Sequence, residues 1–265
     1  MVEMPASTTS ILSEESNGIL KLVINRPESR NALRVEDKRE LTRVIRDVKL
    51  GGVRAVILTG SGGKAFCAGS DLKEMAAMDA TTCLAMEETE VELHEAVMRC
   101  PAPVLAAVNG WALGTGCELV AVCDLAFADA HAKIGQPEIR NGAPTPIHGA
   151  LLPKLIGLSR ARWLVYTGLP IDAQTAFEWG LVNEVTASGH AVERATKVAH
   201  DLCQDAHPTS MMLQKRIVDS WIRYPFDAAV TSSMYVTSSA YNSGWPQSAA
   251  TRMRERRGGT SELKR

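Results

Sequence analysis

Two glutamates, Glu118 and Glu138, and two runs of small residues around Ser70 and Thr115 are where residue type and spacing in this chain could do chemistry. The first run, Ala65 to Met75, carries Ala68, Gly69 and Ser70 followed by Asp71, Leu72 and Lys73. Small residues let a backbone lie close to a ligand, and Asp71 can open a helix whose first N–H groups lack partners. Such donors attract an oxyanion; an ordinary turn before a helix is the alternative. The second run, Val108 to Leu119, leads a strand through Gly110, Gly114 and Gly116 into an apolar helix. A turn of this kind presents backbone N–H groups to a developing negative charge. Its glycine spacing is too loose for a dinucleotide fingerprint, and no acidic residue follows at the distance that would close one. Glu118 falls in the first helical turn among apolar neighbours. There it either interacts with the helix dipole or, because an apolar setting raises a carboxyl pKa, transfers protons. Glu138 stands in the short apolar segment Ile134 to Ile139; taken alone, it reads as a solvated loop residue.

The elements that must hold these groups follow from hydrophobic periodicity. Residues 19–24 form a strand closed by the turn at Asn25, Arg26 and Pro27. From Val35 to Leu50, Leu41, Val44, Ile45 and Val48 repeat with helical spacing, and Gly51 and Gly52 stop the helix. Residues 53–59 are nearly continuous in apolar character, as expected of a strand covered on both faces. A second helix carries Leu93, Ala96, Val97 and Cys100 on one face, Pro101 and Pro103 end it, and residues 104–108 form the next buried strand. Strands and helices in alternation predict an α/β domain with parallel pairing. Beyond residue 185 the strand signals fade, and helices are expected over 190–203, 208–223 and 226–240, with a weaker one over 246–257. Residues 1–10 read as a loose leader.

Bulk properties narrow the class of function. The chain has 265 residues, 45% of them hydrophobic and 22% charged, which are ordinary globular values. A net charge of −1 argues against a dedicated nucleic-acid surface. Six cysteines show neither a paired Cys-x-x-Cys motif nor metal-finger spacing, which predicts free thiols in a reducing, cytoplasmic setting. The histidines show no ligand spacing, so no metal is expected. The first residues lack the basic and apolar regions of a secretory signal, and no apolar run is long enough to span a membrane.

Several longer motifs, in order, resemble the signature of the crotonase (enoyl-CoA hydratase/isomerase) superfamily. They are Asn25 to Pro27 with Asn31, Ala32 and Leu33; Ala68 to Met75; Ala107 to Leu119 apart from Thr115; and Gly135 to Glu138. Leu164 to Gly168, Ala173 to Ala176 and Trp179 to Asn183 extend the match. The resemblance implies an α/β fold: a crotonase-like spiral of ββα turns over 1–185, and a C-terminal helical trimerisation region over 186–265. The assembly would be a homotrimer or homohexamer. It implies an oxyanion hole made by the backbone N–H groups of Ser70 and Thr115. It also implies an acyl-CoA site bordered by Ala68, Ser70, Asp71, Leu72, Lys73 and Thr115, with Glu118 and Glu138 as catalytic carboxyls. The reaction would be addition of water to a 2-enoyl-CoA, with Glu118 chiefly deprotonating water and Glu138 chiefly protonating the α-carbon. No separate cofactor is implied, since coenzyme A belongs to the substrate. An isomerase or dehydratase of the same family, and a non-catalytic acyl-CoA-binding protein, are the alternatives.

The chain departs from the family pattern at three places. Thr115 replaces a glycine, which would be strained if its φ were positive. Ser70 replaces a common alanine. Residues 142–150 replace a glycine-rich stretch and bring in Pro144, Pro146 and His148. If His148 faces the acyl chain, a polar or ring-bearing substrate is expected; if it faces the scaffold, the prolines alone shape the pocket. Lys215, Arg216 and the basic residues of 252–257 are candidates for phosphate contact.

Overall fold

The computed structural model describes residues 9–259. The chain opens with an antiparallel hairpin, β1 (Ile11–Ser16) and β2 (Ile19–Ile24), followed by α1 (Val35–Arg46). Three strand pairs then succeed one another. The first is β3 (Ala55–Gly60) and β4 (Ala65–Cys67), with α2 (Leu72–Met75) and α3 (Ala80–Arg99) after it. The second is β5 (Val104–Val108) and β6 (Trp111–Leu113), followed by α4 (Thr115–Val122). The third is β7 (Leu125–Asp129) and β8 (Lys133–Gly135). Two 3-10 turns lead to α5 (Leu152–Ile156) and α6 (Leu158–Thr167), then β9 (Ile171–Asp172), α7 (Ala173–Trp179) and β10 (Glu184–Thr186). The C-terminal helices are α8 (Ala191–Asp205), α9 (Pro208–Arg223), α10 (Phe226–Ala240) and α11 (Trp245–Gly259).

Each strand pair splits between two sheets, and this makes the spiral. The larger sheet runs β1-β2-β3-β5-β7-β10 and the smaller β4-β6-β8-β9. Pairing is parallel except at β1–β2 and β8–β9. β3 and β5 are buried at every position, which is why their sequences are apolar without alternation. Each Leu, Ile or Val sealed there contributes roughly 1.5–3 kcal/mol relative to exposure. One face of the larger sheet is covered by α8, whose Ala191, Ala195, Ala199 and Cys203 recur every four residues and pack on Ile19, Ile57, Leu105 and Phe127. Helix α8 follows residue 185 yet belongs to the packing of the spiral. Helix α9 is anchored by Leu213 and Ile217, whereas α10 packs mainly on α9.

The expected α/β class, spiral and helical C-terminal region are all present, and α9 and α10 keep their expected bounds. Two local differences have physical causes. Helix α1 stops at Arg46, short of the expected Leu50, because Lys49 and Leu50 are exposed and have no core to cover. Strand β1 has no counterpart in the sequence reading: it is an edge strand with one buried residue followed by five exposed ones, so it shows no alternation. Residues 1–8 of the expected leader lie outside the described residues. Among the described residues, no helix is long and apolar enough to cross a membrane.

Candidate active site

Two glycines shape the floor of the site. Gly69 has φ +103° and Gly114 has φ +52° with ψ −121°, conformations that side chains with a Cβ disfavour. They lie against one another: a Cβ on Gly114 would sit 3.8 Å from the Cα of Gly69. Each reverses the chain just before an expected oxyanion residue. Leu33 N donates to Gly69 O at 2.8 Å and Asp71 N donates to Leu33 O at 3.0 Å. This parallel bridge leaves the N–H of Ser70 facing the other way. Thr115 opens α4 and is not among the residues at positive φ. The strain foreseen at Thr115 is therefore taken by Gly114. Among the described residues, neither the Ser70 nor the Thr115 amide has an acceptor.

Ala68, Ser70, Leu72, Thr115, Glu118 and Glu138 line one cavity, together with Pro144 and Pro146. Glu118 is buried in the first turn of α4; its Oε1 accepts from Gly149 N at 2.7 Å, and its Oε2 has no donor. Burial, then the nearby charge of Glu90, pushes its pKa up to about 9. Glu138 opens a 3-10 turn and is half-buried, with Thr145 Oγ1 donating to its Oε2 at 3.4 Å. Gln136, with its amide nitrogen turned to the carboxylate, donates at 3.0 and 3.1 Å. Burial raises the pKa of Glu138 as well. A larger cavity of about 350 Å³ beneath α9 contains none of these residues, and its charged pair Lys215 and Asp124 is bonded to itself.

Behind Ser70 and Thr115 stand three buried groups that the sequence reading missed: Lys38 on α1, and Glu90 and His94 on α3. Lys38 Nζ donates to Glu90 Oε2 and, at 2.8 Å, to Ser70 Oγ, which lies 3.1 Å from Thr115 Oγ1. Burial pushes the Glu90 carboxyl up, but the Lys38 charge, His94 and the hydrogen bonds of Lys38 and Thr115 together outweigh it and hold the pKa below the usual range. The signal was legible: Lys38 precedes Leu41 by three on its apolar stripe, and Glu90 and His94 each precede Leu93 or Val97 by three. Glu90, His94 and Glu118 bring ligand-type atoms within 4.8 Å of one another, the spacing of a metal cradle. Lys38 already supplies the positive charge there, and a divalent ion beside it would be repelled.

Other expected site residues turn elsewhere. Asp71 caps α2 by accepting from Lys73 N at 2.9 Å and pairs with Arg26 at 3.0 Å; it braces the loop and does not line the cavity. Lys73 is exposed outside the cavity. His148 faces the scaffold: its Nδ1 lies 3.2 Å from His94 Nδ1, and its Nε2 lies 4.0 Å from Glu95. Burial lowers the pKa of His94 to about 3 and that of His148 below its usual value. Pro144 and Pro146 therefore shape the pocket. Ile147, directly after Pro146, takes φ +44°, a strained conformation for a β-branched residue. Lys215, expected to meet phosphate, instead donates to Val97 O at 2.8 Å and Asp124 at 2.6 Å, fastening α9 to the core. Arg216 is exposed and Arg252 stacks over Trp245; the side chains of Arg256 and Arg257 lie outside the described residues.

A spiral of ββα turns that brings two free amides, one buried carboxyl and one half-buried carboxyl to one cavity defines an enzyme of the crotonase class. The chain belongs to the enoyl-CoA hydratase/isomerase family, whose profile matches residues 14–243. It is similar to the short-chain-enoyl-CoA hydratase of Clostridium acetobutylicum, 31% identical over 251 residues, covering 94% of this chain and 95% of that protein. It is also similar to the crotonyl-CoA hydratase of Syntrophomonas wolfei, 39% identical over 196 residues, covering 72% of this chain and 74% of that one. Among solved structures, the enoyl-CoA hydratase of Bacillus anthracis matches with a TM-score of 0.83 at 33% identity, covering 87% of this chain and 90% of that one.

Proposed function

We propose that this chain is an enoyl-CoA hydratase that adds water across the double bond of a 2-enoyl-CoA thioester. One observation carries the reading: Glu118 and Glu138, both with raised pKa values, line the same cavity as Ser70 and Thr115, whose amides are free. Attack of water on the β-carbon drives the alkene electrons onto the thioester oxygen. Two aimed N–H groups stabilise that enolate; removal of one such donor typically costs about 2.7–4 kcal/mol. One carboxylate takes the proton of water and one carboxylic acid protonates the α-carbon, a division that needs two carboxyls in different protonation states. The reaction as written uses no cofactor beyond the coenzyme A of the substrate. Ala68, Ser70 and Leu72 at the cavity wall support a coenzyme path along that loop. The relatives' names support a short-chain substrate.

Assembly into a homotrimer or homohexamer through residues 186–265 belongs to the same proposal. Phe226, Met234 and Tyr235 on α10 are 80%, 67% and 75% exposed, an apolar surface suited to a neighbouring subunit. Six free thiols support a cytoplasmic setting. Incubation with crotonyl-CoA and bulkier 2-enoyl-CoAs, following loss of the conjugated thioester absorbance, tests the activity. Absorbance gained from a 3-enoyl-CoA, with none lost from any 2-enoyl-CoA, would make the chain an isomerase instead.

A further inference from the structure

Lys38 and Glu90 form an ion pair sealed inside the protein, their side chains 0% and 4% exposed. Burying two charges costs several kcal/mol per ion, which mutual attraction offsets only with good geometry. The helices do not need the pair for packing, since Leu41 and Ile45 on α1 and Leu93 and Val97 on α3 already fill the core. The pair instead abuts the site. Lys38 holds the Ser70 hydroxyl, and Glu90 lies within 4.8 Å of Glu118. Glu118 Oε2 is buried and receives no hydrogen bond, a costly state for a carboxylate but not for a carboxylic acid that can donate from that oxygen. Two carboxyls facing one another in a dry site hold one proton between them. Lys38 is bonded to Glu90, so the charge rests on Glu90 and the proton on Glu118.

Of the other groups facing Glu118, all but the Gly149 N–H act in the same direction or not at all. Glu138, from its 3-10 turn, adds negative charge, and Glu87 of α3 lies along the same cavity. His94 on α3 is neutral through burial, and His148 on the following turn is engaged with His94 and Glu95. The Gly149 N–H favours an ionised Glu118 but stands against burial and two carboxylates. Cys117, its neighbour on α4, is a buried neutral thiol.

We infer that Lys38 and Glu90 are positioning residues that keep the shared proton on Glu118, so that Glu118 is the acid and Glu138 the base of the reaction. This rests on the hydratase reading and reverses the division of labour expected from the sequence. The step balances. The Glu138 carboxylate takes a proton from water as the water oxygen bonds to the β-carbon, and the alkene pair moves to the thioester oxygen. The enolate then collapses as the Glu118 carboxyl gives its proton to the α-carbon. Return of one proton from Glu138 to Glu118 through solvent restores the resting state.

Infrared spectroscopy of the free full-length protein tests the proton's place without substrate. At neutral pH the C=O stretch of a protonated carboxyl should be present, vanish in Glu118→Gln, and weaken in Glu90→Gln as Glu118 ionises. With enoyl-CoA, Glu90→Gln should lower kcat at pH 8 tenfold or more with KM within a few-fold, and move the high-pH limb of the kcat profile down by a pH unit or more. Should Glu90→Gln not fold, Lys38→Met/Glu90→Gln removes both charges, and the same downward shift is expected. A limb that stays in place in the folded variant, or a wild-type spectrum with Glu118 ionised at neutral pH, overturns the inference. If the Glu118 band behaves as described but no enoyl-CoA is hydrated, the proton assignment stands and the hydratase reading falls.

Discussion

Replacing Gly114 by alanine tests whether the backbone at the head of α4 is built for the reaction. Gly114 combines φ +52° with ψ −121°, the conformation of the first central residue of a type II′ turn, where glycine dominates. An alanine there stores about 1–3 kcal/mol of backbone strain. At about 2 °C per kcal/mol, near the lower end for large domains, the melting temperature should fall by roughly 2–6 °C. The added Cβ would also lie 2.5 Å from Glu138 Oε1 and meet no backbone closer than 3.8 Å. The carboxylate is the end of a flexible side chain, so it yields and the fold persists. Displacing a reacting group by about 1 Å can cost on the order of 100-fold in rate, and any rotation of the adjacent Thr115 amide adds to that loss. The expected result is a hydratase with kcat reduced about 100-fold or more and a melting temperature only a few degrees lower. Steady-state hydration of crotonyl-CoA and thermal unfolding by circular dichroism measure the two quantities. Wild-type turnover in the folded variant would refute the proposed alignment, and a collapse of the fold would refute the strain estimate.

Glu118→Gln and Glu138→Gln should each reduce hydration by orders of magnitude while CoA-ester binding, followed by calorimetry, stays within a few-fold; wild-type turnover in either removes that residue from the mechanism. Ser70→Ala keeps the backbone N–H but deprives Lys38 of an acceptor, so urea unfolding should show a loss of about 1–3 kcal/mol with kcat within a few-fold. His148→Ala should leave unchanged the relative kcat/KM for linear, branched and aromatic enoyl-CoAs, because the imidazole faces His94; a changed preference would place it at the acyl chain. Glu118 has a folded pKa raised from 4.5 to about 9, so between those values the folded state binds the extra proton. The Glu118 contribution to stability should then be fully present below pH 4.5 and decline as pH rises toward 9, by at most about 1.4 kcal/mol per unit. Glu118→Gln should flatten that slope in denaturant titrations from pH 5 to 9.

The apolar runs at 53–59 and 104–108 announced strands covered on both faces, and the repeats at 208–223 and 226–240 announced helices, because burial on a fixed period leaves a mark in residue order. Glu118, Glu138, Ser70 and Thr115 were legible through motifs whose small residues permit a close backbone approach. That Gly69 and Gly114 lie together, turning two amides separated by 45 positions toward one cavity, is decided by the spiral, which lays β4 beside β6. The same packing turns Asp71 to Arg26, His148 to His94 and Lys215 to Asp124, since a charged or polar side chain settles on the nearest partner that the fold supplies. Lys38, Glu90 and His94 stood in the sequence as polar interruptions of apolar stripes. Their meeting behind Glu118 depended on α1 packing against α3 and α3 against α4. Periodicity specifies which face of a helix is buried, and only tertiary contact specifies what that face meets.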